Sequence, residues 1–376
     1  MSATQTSRHE PFANLEAMLS TEAMSALEKR VIIDVASRPW TPPALIAASG
    51  SRFLKVETTA ADEQGGRYVV KRISPKKDLI MRLSGDRLCR ERLVWQHGII
   101  DQLPDEVWAP VLALATDGDG WALLMHDASD SLFINAQYGA PGSVPLDETR
   151  SAFIISALAA VHARFWEDPY LLNPALGLCT SRQLYTSLSP AAARREAEGG
   201  ESLLTWISSG WDLLERLVPA DVAVTIRDLL DDPGPLCEAL ARYPWTLVHG
   251  DVRRDHVGLH MVAPPRLVLL DWQFVSVHPP AVDLAWLLSG LHGVVPFSYD
   301  VTIDRYRVEL AARLGGRFDQ TWWQPQLELA LLGGLVRGAW FMMHRLTTDP
   351  SPNARGLYRA QLDWWCGAFR RGLKWL

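Results

Sequence analysis

The stretch LVHGDVRRDHVGL, residues 247–259, gathers His249, Asp251, Asp255 and His256 around two arginines, with an apolar run on either side. Carboxylates at this density can hold a divalent ion, accept a proton from a hydroxyl, or only keep a loop solvated. The residues downstream favour chemistry. VGLHMV (257–262) and RLVLL (266–270) flank Ala-Pro-Pro, which is a hairpin pattern, and the second run stops at Asp271. Pairing Val262 with Arg266 sets Val257 opposite Asp271, with a slip of a residue or two allowed by the prolines. His256 and Asp271 are therefore expected near one another at the open end, with Asp251 in the same mouth. Two carboxylates with His256 as a third donor suit a metal ion that also binds phosphate oxygens. Arg253 and Arg254 suit a transferring phosphoryl group. Together these residues point to phosphoryl transfer, in which positioning and charge neutralisation do most of the work.

Such a reaction needs a cation for the phosphates of a donor nucleotide. In RYVVKRI (67–73) the strand alternation puts Lys71 on one face with Val69 and Ile73, and Arg72 on the other with Tyr68 and Val70. A lysine on an apolar face needs a partner. In SGDRLCRERLVWQH (84–97), read as one helix capped near Ser84 or Asp86, Glu91 shares a face with Leu88 and Trp95. Lys71 and Glu91 can satisfy each other there.

The elements that must position these groups fall into a β-rich part and a helical part. Residues 13–37 read as an amphipathic helical extension broken by RPWTPP (38–43). RFLKVETT and RYVVKRI, separated by AADEQGG, read as a hairpin, and WALLMHDAS (121–129) is a further apolar run ending in polar residues. LDETRSAFIISALAAVHARFW aligns Ile155, Leu158, His162 and Phe165 on one helical face, His162 as a core histidine. Further helical patterns follow at 201–217, 281–291, 301–314, 322–346 and 354–375. The fold expected is α+β and two-lobed. Residues 1–43 form a helical extension, 44–127 a small nucleotide-binding lobe, and 128–376 a larger helical lobe, with a ligand cleft between the lobes.

Composition narrows the function. The 376 residues are 48% hydrophobic, enough for two sizeable cores, and a net charge of −6 argues against nucleic acid as a partner. Four scattered cysteines without a CxxC pair read as reduced thiols, and no apolar run reaches the roughly 18–20 residues of a membrane span. With no secretory pattern in MSATQTSRHEPF, the expectation is a cytoplasmic enzyme of unspecified oligomeric state. The Trp-rich end DWWCGAFRRGLKWL reads as packing, although aromatic faces can also hold a cationic acceptor.

HGDVRRDH followed by LLDWQ resembles the aminoglycoside phosphotransferase/choline kinase-like family, which has a protein-kinase-like two-lobed fold. LAAVHARFW and PPAVDLAWLL look like further segments of it, and the likeness runs from about 44 to 345. The resemblance implies a small-molecule phosphotransferase moving the γ-phosphate of ATP or GTP to a hydroxyl, with Mg2+ or Mn2+. It implies Asp251 as catalytic base, Asp271 as principal metal ligand, and Lys71 with Glu91 as the phosphate-lysine ion pair. Residues from Met125 through Asp127 to Ala128 would form the hinge beside the base, Asp283 would brace the loop, and Arg253 would face the γ-phosphate. Two departures stand out. His256 replaces the family's metal-ligating Asn, and ASGSRFLKV offers only Gly50 for a phosphate-cradling loop. These leave a nucleotide-binding pseudokinase or scaffold as the alternative, and a zinc hydrolase built on H-x-D-x-x-x-D-H as a more remote one.

Overall fold

The computed structural model of the protein describes residues 9–42, 50–133, 146–196, 202–291 and 295–376. Its N-terminal part is built on an antiparallel sheet. The strands are β1 (Ile32–Trp40), β2 (Arg52–Ala60) and β3 (Arg67–Ile73), then a short β4 (Val107–Trp108), β5 (Val111–Asp117) and β6 (Gly120–His126). The sheet order is β1-β2-β3-β6-β5, and β4 pairs elsewhere. Both sheet faces are covered, so β3 is buried almost throughout, Lys71 included. Tyr68 and Val70 pack with Val56, Ala113 and Leu124 against Met18 and Met24. Those methionines come from two short helices, α1 (Leu15–Met18) and α2 (Thr21–Glu28). Burying each is worth about 1.5–3 kcal/mol.

The single helix expected over 13–37 is not what forms. After α2 stops at Lys29 in left-handed conformation (φ 55°), Ile32–Trp40 runs as the edge strand of the sheet, paired with β2 from Ile32 opposite Ala60 to Trp40 opposite Phe53. The β-branched run VIIDV wins over the helical periodicity, and Pro39 is tolerated because β1 is an edge. The segment expected as a separate extension thus supplies a strand of the small lobe's sheet. The helix expected over 84–97 is preceded by a separate short helix, α3 (Leu79–Ser84), and forms only as α4 (Arg90–Gln96). Gly85 ends α3 at φ 64°, and the Asp86 carboxylate accepts the Leu88 and Arg90 N–H groups ahead of α4.

The C-terminal part is helical, with a large core. Its main members are α5 (Glu148–Arg164), α6 (Ser202–Trp211), α7 (Ala281–Gly290), α8 (Tyr299–Leu314), α9 (Gln320–Thr348) and α10 (Pro352–Gly372). Ile155, Leu158 and His162 of α5 and Phe165 at its C-cap are all buried, as their spacing requires. The C-terminal aromatics are packing elements: Trp365 and Phe369 are fully buried, and the Trp375 indole N–H donates to Glu328.

Two small β units carry the site. β7 (Thr246–Val248) pairs with β10 (Ser276–His278), and β8 (Val257–His260) with β9 (Arg266–Leu269), which also takes β4 in parallel. The β8–β9 register places Val257 opposite Leu269, two residues from the expected pairing. The turn widens to residues 261–265 because Pro264 and Pro265 cannot donate to the ladder. The Leu270 N–H still reaches the His256 carbonyl at 2.9 Å, so His256 and Asp271 stay adjacent. All four cysteines are free. Among the described residues no helix is long and apolar enough to cross a membrane.

Candidate active site

Residues 249–256 bridge β7 and β8, while 270–275 bridge β9 and β10, so two strand pairings clamp these loops side by side. Gly250 is required at the tight point. Its φ is 77°, and a Cβ there would lie 2.3 Å from the Phe274 carbonyl oxygen. Asp283, in the first turn of α7, braces the loop. Its buried carboxylate accepts the His249 N–H at 2.6 Å and the Gly250 N–H at 2.7 Å, and meets His162 Nε2 at 3.3 Å. Burial opposes its charge, but the hydrogen bond and charge of His162, with His249 and Gly250, hold the carboxyl below its usual range. His249 has both ring nitrogens engaged, Nε2–H on the Leu270 carbonyl at 2.9 Å and Nδ1 accepting the Asp251 N–H at 3.2 Å. That leaves it no lone pair for the zinc set considered above.

His256 stands between the two expected site carboxylates. Its Nδ1 is 3.1 Å from Asp251 Oδ2 and 3.3 Å from the Asp251 carbonyl, while Nε2 is 3.6 Å from Asp271 Oδ2. Lys71 extends the chain of charges: its ammonium donates to Glu91 at 2.7 Å and to Asp271 at 3.1 Å. Burial works against the Lys71 charge, but Asp271 and Glu91 outweigh it and raise the ammonium above its ordinary range. Glu91 is held in place through the residue before it. The buried Arg90 guanidinium donates to the Ser84 hydroxyl and the Gln273 carbonyl, tying α4 to the loop after Asp271.

Asp251 is buried; its Oδ1 accepts the Trp286 Nε1–H at 2.6 Å, and its Oδ2 lies 3.1 and 3.3 Å from His256 Nδ1 and Arg253 Nε as ion-pair contacts. A carboxylate has about four lone-pair sites, so one on Oδ1 is left for a hydroxyl. Burial pushes the carboxyl up, yet Arg253 and His256 hold it well below the usual range. Arg253 also pairs with Asp255 at 3.0 Å. The expected cluster of Asp251, Arg253, His256, Asp271, Lys71 and Glu91 is therefore brought together. Met125 lies in an apolar patch with Phe53 and Val69, against which Trp40 and Leu270 pack. Asp127 is spent elsewhere: its carboxylate accepts the Ser129 N–H and the Lys55 ammonium, at 3.0 and 3.1 Å. Ala48 and Ser49 of the thin glycine loop lie outside the described residues. Gly50 itself sits against the Lys77 carbonyl.

Two functional neighbours went unnamed in the sequence reading. Trp286 follows Asp283 by three residues, so both point to the same side of α7. Arg337 is a lone cation in the apolar run ALLGGLVRGAWFMM, a buried charge that must find partners. It donates to the Gly250 carbonyl and stacks on Trp286 and Phe274, 4.0 and 4.5 Å from their ring centres.

The donor set suits a divalent ion. Among the described residues Asp251, Asp255, Asp271 and Glu91 form ion pairs with two fixed cations, Lys71 and Arg253, and Arg337 acts on Asp251 from further away, which still leaves an excess of carboxylate charge. With the His256 Nδ1 side turned to Asp251, Nε2 lies on the Asp271 side. Among the described residues no group of three or more His, Cys, Asp or Glu side chains forms a ready metal site. An ion here would complete its shell with phosphate oxygens and water.

A small β-sheet lobe over a helical lobe, with a buried Lys–Glu pair facing a loop carboxylate, defines a protein-kinase-like fold. The phosphotransferase enzyme family matches residues 46–322, and the chain belongs to it. No curated protein matches the sequence. Among solved structures it is similar to a microcompartment-associated aminopropanol kinase (12% identity, 94% of this chain and 97% of that one, TM-score 0.48). It is similar also to an ethanolamine kinase of Plasmodium vivax (12%, 89% and 83%, TM-score 0.48). A third is the aminoglycoside phosphotransferase APH(3'')-Id of Streptomyces rimosus (16%, 88% and 99%, TM-score 0.45).

Proposed function

We propose that this small-molecule phosphotransferase moves the γ-phosphate of ATP or GTP to an alcohol: the acceptor oxygen bonds to the γ-phosphorus, the bond to the nucleoside diphosphate breaks, and the hydroxyl proton leaves. The observation that carries this is the continuous contact Glu91–Lys71–Asp271–His256–Asp251, which spans both lobes. Lys71 would hold the α- and β-phosphates, with the base against Met125, Val69 and Leu270. Asp271, with Nε2 of His256, would hold Mg2+ or Mn2+, which when bound neutralises β- and γ-phosphate charge. Arg253 would meet the γ-phosphate. The hinge contact assigned to Asp127 falls to backbone groups, since its side chain is engaged.

Asp251 would orient the acceptor through its remaining lone pair. Its depressed pKa makes it a weak base, so proton removal would come late, as the loose transition state of phosphoryl transfer permits. The experiment is an acceptor screen for nucleotide consumption with Asp251→Ala as blank. Transfer should vanish in the variant while nucleotide still raises its melting temperature; full activity in Asp251→Ala would end the assignment. A pseudokinase is the second reading, favoured by the contact of Nε2 of His256 with an Arg253 nitrogen at 3.2 Å, which competes with metal. Nucleotide stabilisation indifferent to divalent ions would support it.

A further inference from the structure

Beside Asp251 lies a cavity of ≈ 110 Å³. It is smaller than the dry apolar cavities of about 150 Å³ that accept a benzene ring. One end is polar, with Asp251, Arg253, Arg254 and Asp255. The rest is walled by side chains such as Leu188, Phe274, Trp286, Trp340, Phe341 and Tyr358. Its electrostatics do not favour a cation. Both lining carboxylates, Asp251 and Asp255, are paired with Arg253. Arg254 adds positive charge and has no ion pair among the described residues. Guanidinium groups already cover faces of three of its rings, Arg337 on Trp286 and Phe274, and Arg345 5.8 Å from the Tyr358 ring centre, while Trp340 and Phe341 carry no such cation among the described residues. Asp255 Oδ1 has no hydrogen-bond partner among the described residues, but the two lining carboxylates are balanced by the two lining guanidinium groups, Arg253 and Arg254, so neither an aminated sugar nor a quaternary amine meets a net negative charge.

A second observation concerns the apolar end. The indole N–H of Trp340 and Oε1 of Gln361, both on buried residues lining the cavity, have no hydrogen-bond partner among the described residues. Buried polar atoms of this kind are matched by a partner in most proteins. A second hydroxyl would serve both, accepting from the Trp340 N–H and donating to Gln361 Oε1, and a ketone would serve the Trp340 N–H alone.

We propose that the acceptor is a neutral, mostly hydrocarbon or aromatic alcohol carrying one further uncharged hydrogen-bonding group, and not an aminated sugar or quaternary amine. This rests on the phosphotransferase reading for its chemistry: the alcohol oxygen takes the γ-phosphoryl group, the nucleoside diphosphate leaves, and the proton passes by way of Asp251 to water. The apolar wall holds the body of the molecule and leaves its hydroxyl at Asp251.

The test measures binding and transfer separately on the full chain. Calorimetry without nucleotide compares ω-phenylalkanols of increasing length, with and without a distal ketone, against choline and kanamycin. The phenylalkanols should bind at least about tenfold more tightly than either amine, and the ketone should tighten binding. Phe341→Asp should reverse the preference toward choline, and Phe341→Leu should keep it. Choline or kanamycin binding more tightly than every neutral alcohol overturns the proposal, as does no binding of any phenylalkanol. If neutral alcohols bind but no phosphorylated alcohol appears with ATP or GTP and Mg2+ or Mn2+, the phosphotransferase reading fails while the pocket's selectivity stands.

Discussion

The indole N–H of Trp286 donates to Oδ1 of Asp251 across 2.6 Å, so one side chain both walls the cavity and fixes the carboxylate proposed to orient the acceptor. Trp286→Phe keeps the ring under Arg337 but removes the donor. Steady-state kinetics should show kcat reduced by roughly ten- to a hundredfold, with nucleotide affinity unchanged. An unchanged kcat would remove Trp286 from the positioning of Asp251.

Asp283 serves the loop from beneath. Asp283→Ala strands the N–H groups of His249 and Gly250 in a buried place, and charge-assisted hydrogen bonds are worth roughly 1.5–3 kcal/mol each. Urea unfolding should show a loss of about 3 kcal/mol or more. Loss within experimental error would mean that the loop is held by other contacts.

His278 supplies a pH signature. It is buried on β10, and burial drives its ring down to about 4, against the pull of Asp283 and with the repulsion of Arg337. The unfolded ring titrates near 6.5. A depressed histidine contributes stability that is fully present above the unfolded value and is lost as the pH falls through the folded one. The window is therefore about 6.5 down to 4, and the contribution about 3 kcal/mol. Unfolding free energies of His278→Gln should fall less steeply than wild type across that window; parallel curves would contradict the assignment.

The motif resemblance puts His256 at the position of the family's metal-ligating asparagine. An imidazole nitrogen suits Mn2+ better than Mg2+, whereas an amide oxygen suits Mg2+. His256→Asn should therefore shift nucleotide affinity toward Mg2+ relative to Mn2+, measured by calorimetry with a nonhydrolysable ATP analogue. An unchanged ratio would leave His256 as a hydrogen-bonding bridge only.

Much of the site was legible because its groups sit at the ends of short apolar strands, where alternation and turn length constrain position. Asp271 ends β9, and Lys71 follows from the face it shares with Val69. The two-residue error in the β8–β9 register left the juxtaposition intact, because the Leu270 N–H still closes onto His256. The N-terminal error had a different cause: Ile32–Trp40 gains its strand character from pairing with β2, which local helical periodicity does not reveal. Arg337 was illegible for a related reason. It reaches Gly250 from the middle of α9, a contact 87 residues apart that only tertiary packing creates.

The central claim is that Asp251 and Asp271 serve one bound nucleotide from a shared pocket, with different duties. Calorimetric titration of a nonhydrolysable ATP analogue with Mn2+ into wild type, Asp251→Asn and Asp271→Asn separates those duties. Binding should persist in Asp251→Asn and lose its dependence on the metal in Asp271→Asn. Metal-dependent binding as tight in Asp271→Asn as in wild type would contradict it.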